Sequence, residues 1–213
     1  MLGLKCFIER CRMRKKFFNT NTGVVADNSL TLRLPQYIQC GQNVIIGTES
    51  KLLCWDSYNN KVFKKRPEIK IGNNFHATRR LTIQCANKVI IGNNALFASD
   101  VFLVDYNHGT NPNSANYLDN DLDISEGIFI DDGVWIGNNV IILGGVKIGE
   151  KTIIGAGSVV THSIPAYCIA VGNPAKVIKR YNFNNQTWEN IDGGGNVMNF
   201  LKFPFCLTIF IKK

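Results

Sequence analysis

The hydrophobic pattern between residues 128 and 164 repeats every six positions. Aliphatic side chains recur at Ile130, Ile136, Ile142, Ile148, Ile154 and Val160. A second series, two positions ahead of the first, consists of Ile128, Val134, Val140, Val146, Thr152 and Ser158. A period of six fits neither an amphipathic helix, which repeats every 3.6 residues, nor strands that reverse at each hairpin. It is typical of a parallel β-helix, in which short strands form flat faces joined by repeated turns.

The same period is present upstream at Ile91, Phe97 and Leu103, and it then stops for residues 105–127. A solenoid accepts insertions at its corners because they project outward without breaking the stack. Long loops in compact repeats are usually functional or disordered. This one contains a histidine, five carboxylates and two tyrosines. We therefore predict that loop 105–127 is extruded from a corner and carries the candidate active site.

The chain is predicted to have three parts. Residues 1–20 form a basic helix, because six Lys and Arg stand against one Glu in the first sixteen residues. Such a helix could contact a membrane surface or cover the open end of the solenoid. Residues 21–180 form the β-helix, entered through an irregular segment, with 51–67 as a loop or irregular coil. Residues 181–213 form a C-terminal segment that begins with a short helix or a surface excursion.

The end of that segment contains an apolar run at 203–211. The run is too short to span a bilayer. Three alternatives remain for it: packing on a neighbour, contact with a membrane interface, and disorder.

The cysteines, histidines and charges of the chain limit the cofactors and partners that we expect. The seven Cys residues show no CxxC spacing, and no secretory signal is recognisable, which indicates reduced thiols in a cytoplasmic protein. The three histidines, His76, His108 and His162, are too far apart in sequence to predict a metal site. The formal charge of +8 is concentrated near the N-terminus, and nothing in the pattern predicts a nucleic-acid partner.

His108 is the candidate general base. It lies three residues after Asp105, at the edge of the predicted β-helix, within the motif DYNHG. An imidazole near its ordinary pKa accepts a proton at neutral pH, and a carboxylate or a backbone carbonyl can fix its tautomer. Asp105 is the nearest candidate for that orienting group, with Asp100 or a carbonyl as alternatives. A backbone N–H near Gly144 or Gly145 is a candidate donor to the oxyanion of a tetrahedral intermediate.

Residues 68–181 resemble the hexapeptide-repeat acyltransferases, and the resemblance is most specific over residues 133–180. The segment GVWIGNNVIILGGVKIGEKTIIGAGSVV, with its continuation to GNPAKVIKRY, is similar to the galactoside, maltose and polysaccharide O-acetyltransferase branch. DYNHG followed by a long loop resembles the O-antigen and capsule O-acetyltransferases. The resemblance implies an all-β fold, a left-handed parallel β-helix with a short N-terminal helix and an extruded catalytic loop. It also implies a homotrimer with active sites between subunits, and acetyl-CoA as co-substrate without a metal.

The resemblance assigns roles to further residues. His108 corresponds to the catalytic base, Trp135 borders the acetyl end of the co-substrate, and the backbones at Asn138 and Ala156 contact the pantetheine arm. Thr161, Lys176 and Lys179 approach the nucleotide end.

The residues themselves agree with these roles. Gly144 and Gly145, like Gly155 and Gly157, leave the backbone uncovered for a linear ligand, although corner geometry would explain them equally well. Lys176, Lys179 and Arg180 suit phosphate groups. Packing on an outer face would also explain Trp135.

The chain differs from the family pattern in two places, one near the expected acceptor and one near the expected nucleotide. Arg79 and Arg80 stand where galactoside-type members hold the acceptor sugar with an Asn and an acidic residue, so a different or negatively charged acceptor is expected. Asn107 in the DYNHG motif is a third candidate for binding the acceptor. His162 replaces a Lys that is frequent in the family after the position of Thr161.

We predict an acetyl-CoA-dependent O-acetyltransferase that acts on a sugar hydroxyl of a surface-polysaccharide precursor, in the cytoplasm or at the inner face of the membrane. The alternatives are a nucleotide-sugar N-acetyltransferase or a xenobiotic O-acetyltransferase on the same fold, and a non-catalytic β-helix scaffold.

Overall fold

Short strands wind into six coils of a triangular solenoid after one N-terminal helix. The structure is a computed structural model that describes residues 2–191, with side chains from residue 8 onward except that of residue 10. The helix is α1 (Leu2–Thr20). The first coil contains β1 (Val24–Ala26), β2 (Thr31–Arg33), a 3₁₀ turn (Pro35–Tyr37) and β3 (Ile38–Cys40). The second contains β4 (Val44–Thr48), β5 (Lys51–Cys54), a hairpin of β6 (Ser57–Tyr58) and β7 (Lys61–Val62), and β8 (Glu68–Ile71).

The remaining coils follow in the same order. The third contains β9 (His76–Arg79), β10 (Thr82–Cys85) and β11 (Lys88–Ile91). The fourth contains β12 (Leu96–Phe97), β13 (Phe102–Val104), the extruded β14 (Tyr106–His108), a 3₁₀ turn (Tyr117–Asp119) and β15 (Leu122–Ile124), then β16 (Ile128–Ile130). The fifth contains β17 (Trp135–Ile136), β18 (Ile141–Leu143) and β19 (Lys147–Ile148). The sixth contains β20 (Ile153–Ile154) and β21 (Val159–Val160), and β22 (Cys168–Val171), β23 (Lys176–Asn182) and β24 (Thr187–Asn190) follow it.

Equivalent strands of successive coils pair in parallel and form three faces. The first face begins with β1 and β4, the second with β2 and β5, and the third with β3 and β8. We call the turns between them corner 1–2, corner 2–3 and corner 3–1. Both insertions, the β6–β7 hairpin and loop 105–127, leave the solenoid at corner 2–3, two coils apart. The predicted fold class is confirmed, including the N-terminal helix and the extruded loop.

Both series of the six-residue period point into the core. Every member from Ile128 to Val160 is at most 2 % exposed, and this includes Thr152 and Ser158. These two polar side chains are satisfied by nearby backbone: the Thr152 hydroxyl donates to the Pro165 carbonyl at 2.7 Å, and the Ser158 hydroxyl donates to the Gly155 carbonyl at 2.6 Å. Burial of hydrogen-bonded hydroxyls is tolerated because their desolvation is compensated. The period therefore describes the inside of the solenoid.

The solenoid begins earlier than the sequence pattern indicated. The expectation of an irregular entry segment is wrong, because residues 24–40 already form a complete coil. The expectation of a loop over 51–67 is also wrong, since β5 and a hairpin occupy it. The early coils are longer: Val24 pairs with Val44, twenty positions later, whereas Trp135 pairs with Ile153, eighteen positions later. Two additional residues in the first and third coils, and the hairpin in the second, hide a strict period of six.

Helix α1 covers the open end of the first coil. Phe17 is fully buried in the core, and the Arg14 guanidinium donates to the carbonyls of Leu30 at 3.0 Å and Asp27 at 2.9 Å. Asn21, just past the helix, accepts a hydrogen bond of 2.6 Å from the backbone N–H of Cys40. A solenoid needs such a cover because its terminal coil would otherwise expose core side chains. The helix thus has the capping position that was one of its two expected roles.

The segment after the sixth coil is a β-hairpin. β23 pairs antiparallel with β22 and with β24, so the expectation of a helix or a surface excursion at its start is wrong. Edge-to-face contacts join Tyr181 to Trp188 and Phe183, and aromatic pairs across strands favour a hairpin over a helix. The apolar run 203–211 lies outside the described residues. Among residues 2–191, no helix is both long and apolar enough to cross a bilayer.

Candidate active site

His108 lies in the extruded loop and is exposed to solvent. It ends β14, which pairs antiparallel with β15 so that His108 stands opposite Leu122 and Asn107 opposite Asp123. Because successive side chains of a strand point to opposite sides, His108 and Leu122 share one side of this ribbon. Asn107 projects from the other side. The side chain of Asn107, which was expected to bind the acceptor, therefore points away from the side of the ribbon that carries the imidazole.

The base of the loop is closed by hydrogen bonds to the preceding coil. The carboxylate of Asp105 is fully buried and accepts backbone N–H bonds from Ala86 at 2.7 Å, Asn87 at 2.9 Å and Lys88 at 2.7 Å. Ser125, at the other end of the loop, donates its backbone N–H to the Asp105 carbonyl at 2.9 Å. Its own carbonyl accepts from the Asn87 side chain at 2.8 Å. These contacts fix both ends of the loop at corner 2–3.

Neither of the acidic residues expected near His108 orients it in this structure. Burial raises the pKa of Asp105 above its ordinary value, against the opposing effect of the backbone N–H bonds that it accepts. Both of its side-chain oxygens accept hydrogen bonds from the backbone of the third coil. Asp100 lies at corner 1–2 and forms a bidentate ion pair with Arg80, with both distances at 2.5 Å. Within residues 8–191, no carboxylate is hydrogen bonded to His108, so the expected roles of Asp105 and Asp100 are corrected.

The residue that contacts the imidazole is Tyr58, which sequence reasoning missed. Its hydroxyl oxygen is 3.3 Å from Nδ1 of His108, and the two rings meet edge to face with centroids 5.5 Å apart. Tyr58 belongs to the β6–β7 hairpin, two coils below the loop at the same corner. The available signal was the second interruption of the repeat, between Cys54 and Glu68, which indicates another corner insertion.

Three further contacts join the hairpin to the loop. The Tyr58 hydroxyl and the Asn59 side-chain amide both donate to the Leu118 carbonyl, each at 2.8 Å. The Lys61 ammonium contacts both carboxylate oxygens of Asp121, at 2.7 Å and 2.9 Å. Both members of this ion pair are about two-thirds exposed, so its contribution to stability is small. The hairpin and the loop thus form one polar junction around His108.

A cavity of about 690 Å³ lies between the hairpin and the loop. Tyr58, Val62 and Phe63 line it from the hairpin, and Leu122 and Ile124 line it from the loop. His108 is not among the residues that line the cavity; the link between them is Tyr58, which lines the cavity and has its hydroxyl oxygen 3.3 Å from Nδ1 of His108. Lys64 and Lys65 also border it. The volume and mixed lining suit a ligand of moderate size with polar groups.

The glycines at corner 2–3 differ from each other. A Cβ on Gly144 would overlap the Ser125 hydroxyl and lie 3.0 Å from the Asp105 carbonyl oxygen, so Gly144 allows the loop base to pack closely. Gly145 has a φ of 83° and open space around it, which leaves its backbone uncovered as expected. Its N–H, however, donates to the Gly127 carbonyl at 2.8 Å and is not free for an oxyanion. Thr161 occupies the same corner one coil later, and its hydroxyl is 2.8 Å from Nδ1 of His162.

The other expected site residues lie away from this corner. Arg79, Arg80, Asn138 and Ala156 are at corner 1–2, and Trp135 is half-buried on the first face. Asn138 accepts at its side-chain oxygen from the Ser99 N–H at 3.0 Å, and at its carbonyl from the Gly157 N–H at 2.8 Å. Gly157 has a φ of 73° and an open Cβ position, so it also leaves this corner uncovered.

The basic residues expected at the nucleotide lie on β23, just after the sixth coil. Lys176 and Arg180 are exposed and Lys179 is half-buried. Lys179 stands opposite Ile169 of β22, and Arg180 stands opposite Cys168. No ion pair involves these three side chains among the described residues, so their charges face solvent. Such a strand can receive phosphate groups.

The expected site residues therefore form two sets in one chain. His108, Gly144, Gly145 and Thr161 share corner 2–3, whereas Arg79, Arg80, Asn138 and Ala156 share corner 1–2. The second face of the solenoid separates the two corners. The structure brings together the members of each set along the solenoid axis, and it does not bring the two sets together within one protomer.

Comparison with known proteins agrees with this architecture. Residues 127–162 match the family described as bacterial transferase hexapeptide (six repeats). The chain is 33 % identical over 180 residues to the Escherichia coli (strain K12) protein named "Putative lipopolysaccharide biosynthesis O-acetyl transferase WbbJ", covering 79 % of this chain and 87 % of that protein. It is 41 % identical over 129 residues to the galactoside O-acetyltransferase of the same strain, covering 56 % and 58 %.

Solved structures show the same fold. Galactoside acetyltransferase in complex with coenzyme A superposes with a TM-score of 0.52 at 25 % identity, covering 86 % of each chain. A mutant of AntD, an N-acyltransferase from Bacillus cereus in complex with dTDP and coenzyme A, gives a TM-score of 0.58 at 23 % identity, covering 76 % of this chain and 83 % of that one.

Proposed function

The chain belongs to the hexapeptide-repeat acetyltransferases, and from this premise we propose that it transfers an acetyl group from acetyl-CoA to a sugar hydroxyl of a surface-polysaccharide precursor. Two comparisons support the details. The relative that this chain covers to 87 % is named for O-acetyl transfer in lipopolysaccharide biosynthesis. The galactoside enzyme of the same fold holds coenzyme A. The observation that carries the proposal is the exposed imidazole of His108 in contact with Tyr58, which lines a cavity at corner 2–3.

His108 acts as the general base. Its free ring nitrogen removes the proton from the acceptor hydroxyl while the hydroxyl oxygen attacks the thioester carbonyl carbon of acetyl-CoA. The tetrahedral intermediate then collapses, the carbon–sulfur bond breaks, and the imidazolium returns its proton to the departing thiolate. The products are an acetyl ester and coenzyme A. A metal is not required, since the thioester is already activated and the base is supplied by the protein.

The active site is completed by a second copy of the chain. The two sets of site residues stand at different corners, so a groove that contains both forms only where corner 2–3 of one protomer faces corner 1–2 of its neighbour. Three copies close such a head-to-tail arrangement into a ring. Acetyl-CoA then lies along the axis between two solenoids, with Gly145 on one side and Asn138 and Ala156 on the other.

The acceptor enters through the cavity between hairpin and loop. Its apolar wall at Tyr58, Val62 and Phe63 suits the face of a sugar ring. Lys64 and Lys65 are exposed and form no ion pair with the described residues. Two free ammonium groups at the rim favour an acceptor with a phosphate or carboxylate group, as expected for a nucleotide-linked or lipid-linked sugar.

Helix α1 provides a route to a lipid-linked acceptor. Arg12, Lys15 and Lys16 are exposed on the outer side of the cap, while Phe17 faces the core. Clustered basic residues on a helix bind anionic membrane surfaces peripherally. Sedimentation with vesicles of mixed neutral and anionic lipid checks this contact; charge reversal at the three positions should abolish it, and binding that survives the reversal would refute it.

The central experiment measures release of the coenzyme A thiol by the full chain with hydroxyl-bearing and amino-bearing sugars. His108→Ala should lower kcat by about 10²–10⁴, the usual contribution of a general base. Thr110→Ala, an exposed change in the same loop, is the matched control and should leave kcat unchanged. An active His108→Ala variant would remove His108 from the mechanism. Turnover of amino sugars alone would make the protein an N-acetyltransferase.

A further inference from the structure

The hydroxyl of Tyr58 has two neighbours and one proton. Its oxygen is 2.8 Å from the Leu118 carbonyl oxygen and 3.3 Å from Nδ1 of His108. A carbonyl oxygen can only accept, and the shorter distance is typical of an O–H donor to oxygen. The Tyr58 proton therefore goes to Leu118. The same oxygen can then take part in a hydrogen bond to the imidazole only as the acceptor.

This arrangement determines the tautomer of His108. If the Tyr58 oxygen accepts, then Nδ1 of His108 carries the hydrogen and Nε2 carries the lone pair. In the opposite tautomer, a lone pair on Nδ1 would face the lone pairs of the tyrosine oxygen. We propose that Tyr58 is a positioning residue that keeps the proton on Nδ1 of His108, so that Nε2 receives the proton of the acceptor hydroxyl. The inference rests on the proposed function and adds a residue from a different coil to its site.

Other groups do not provide this orientation. The buried oxygens of Asp105 are held by Ala86, Asn87 and Lys88, and Asp100 is paired with Arg80 at another corner. Among the described residues, the only hydrogen bond of the imidazole is the one to Tyr58. The edge-to-face contact of the two rings adds a second restraint on the plane of the imidazole. A tyrosine hydroxyl therefore occupies the place that a carboxylate has in a Ser-His-Asp triad.

The anchoring of Leu118 does not depend on Tyr58 alone. The Asn59 side chain donates to the same carbonyl at 2.8 Å. Removing the tyrosine hydroxyl thus leaves Leu118 with one partner and the loop with its base intact. This redundancy allows the effect on the tautomer to be separated from the effect on loop position.

The direct test is NMR of the imidazole nitrogens in the full chain labelled with ¹⁵N-histidine, at an alkaline pH. Only three histidines contribute, and His108→Ala identifies the relevant pair of resonances. In the native chain, Nδ1 should be the nitrogen that carries hydrogen. Tyr58→Phe keeps the ring but not the hydroxyl, and the hydrogen should then be shared between both nitrogens. A native chain with the hydrogen on Nε2 would overturn the proposal, whatever the activity assay shows.

Activity provides the second measurement. Tyr58→Phe should lower kcat roughly three- to tenfold with an unchanged KM for acetyl-CoA, the range that one hydrogen bond allows. Tyr106→Phe is the matched control, because its hydroxyl bonds to the Gln84 side chain at 2.7 Å and not to His108. Asn59→Gly removes the other bond to Leu118 and fits the φ of 47° at that position.

Both controls should keep kcat and the tautomer. An equal loss of kcat in Asn59→Gly and Tyr58→Phe, with the same tautomer in both, would show that the hairpin only anchors the loop. Loss of activity in His108→Ala together with a native chain that carries hydrogen on Nε2 would retain the proposed function and reject this inference alone.

Discussion

The carboxylate of Asp105 accepts a 2.7 Å hydrogen bond from the backbone N–H of Lys88, one coil below it. The same carboxylate accepts hydrogen bonds from the backbone N–H groups of Ala86 and Asn87. It therefore binds three consecutive amide groups at corner 2–3 of the third coil. His108 follows three residues later on a strand that cannot move far from this point. The acidic residue closest to His108 in sequence therefore holds the loop, and its oxygens are not hydrogen bonded to the imidazole.

Asp105→Asn should destabilise the chain by about 1–3 kcal/mol, since one oxygen of the carboxylate becomes an NH₂ group that faces backbone donors. Chemical denaturation of the full chain measures this loss. Asp123→Asn, an exposed change in the same loop, is the control and should cost much less. Equal unfolding free energies for the two variants would contradict the anchoring role of Asp105.

Asp105 also predicts a dependence of stability on pH. Burial raises the pKa of this carboxyl above its ordinary value of 3.8, so the folded state disfavours its ionised form. Titration of Asp105 therefore lowers the unfolding free energy as the pH rises from 3.8 through the folded pKa, and this loss is separate from the hydrogen bonds that Asp105→Asn removes. The unfolding free energy of the native chain relative to Asp105→Asn should fall as the pH rises through this window. A relative stability that rises with pH would show that the backbone N–H bonds outweigh burial.

Gly144→Ala should perturb the loop base, whereas Gly145→Ala should not. A Cβ at Gly144 would meet the Ser125 side chain and the Asp105 carbonyl, so the loop must shift and His108 with it. Gly145 has open space, and a non-glycine residue there bears only the cost of a positive φ, about 1 kcal/mol. We expect kcat to fall at least tenfold in Gly144→Ala and little in Gly145→Ala, where the added methyl group should instead raise the KM for acetyl-CoA. Adding Ser125→Gly to Gly144→Ala should restore part of kcat, and a double variant no better than Gly144→Ala would contradict the clash.

Mixing of inactive protomers tests whether the site lies between two copies. His108→Ala removes the proposed base at corner 2–3, and Ala156→Tyr obstructs the exposed backbone at corner 1–2. Each variant alone should be inactive. When both are co-expressed and mix at random, about one site in four joins an intact His108 to an intact Ala156, so about a quarter of the native kcat should return. No recovery would place the whole site within one protomer.

The sequence predicted the repeat better than it predicted which residues contact His108. Ile142 and Val160 could be assigned to the core because one period places every inward side chain in register. Val24 could not, because the first coil carries two additional residues and loses the period. His108 stood out by its position in a long interruption. Tyr58 did not, since its contact depends on two insertions that leave the same corner and are separated by fifty positions in the chain.

The placement of the hairpin and the loop at one corner, two coils apart, has a consequence for how such a chain can change over evolutionary time. Solenoids gain and lose whole repeats easily, because each repeat contacts only its neighbours. Loss of the third coil would bring Tyr58 nearer to His108 by one strand spacing, about 4.8 Å, and gain of a coil would move it away equally. Both changes would break the contact between Tyr58 and His108. The proposed role of Tyr58 therefore requires a fixed number of coils between these two insertions, while the number at either end is free to vary.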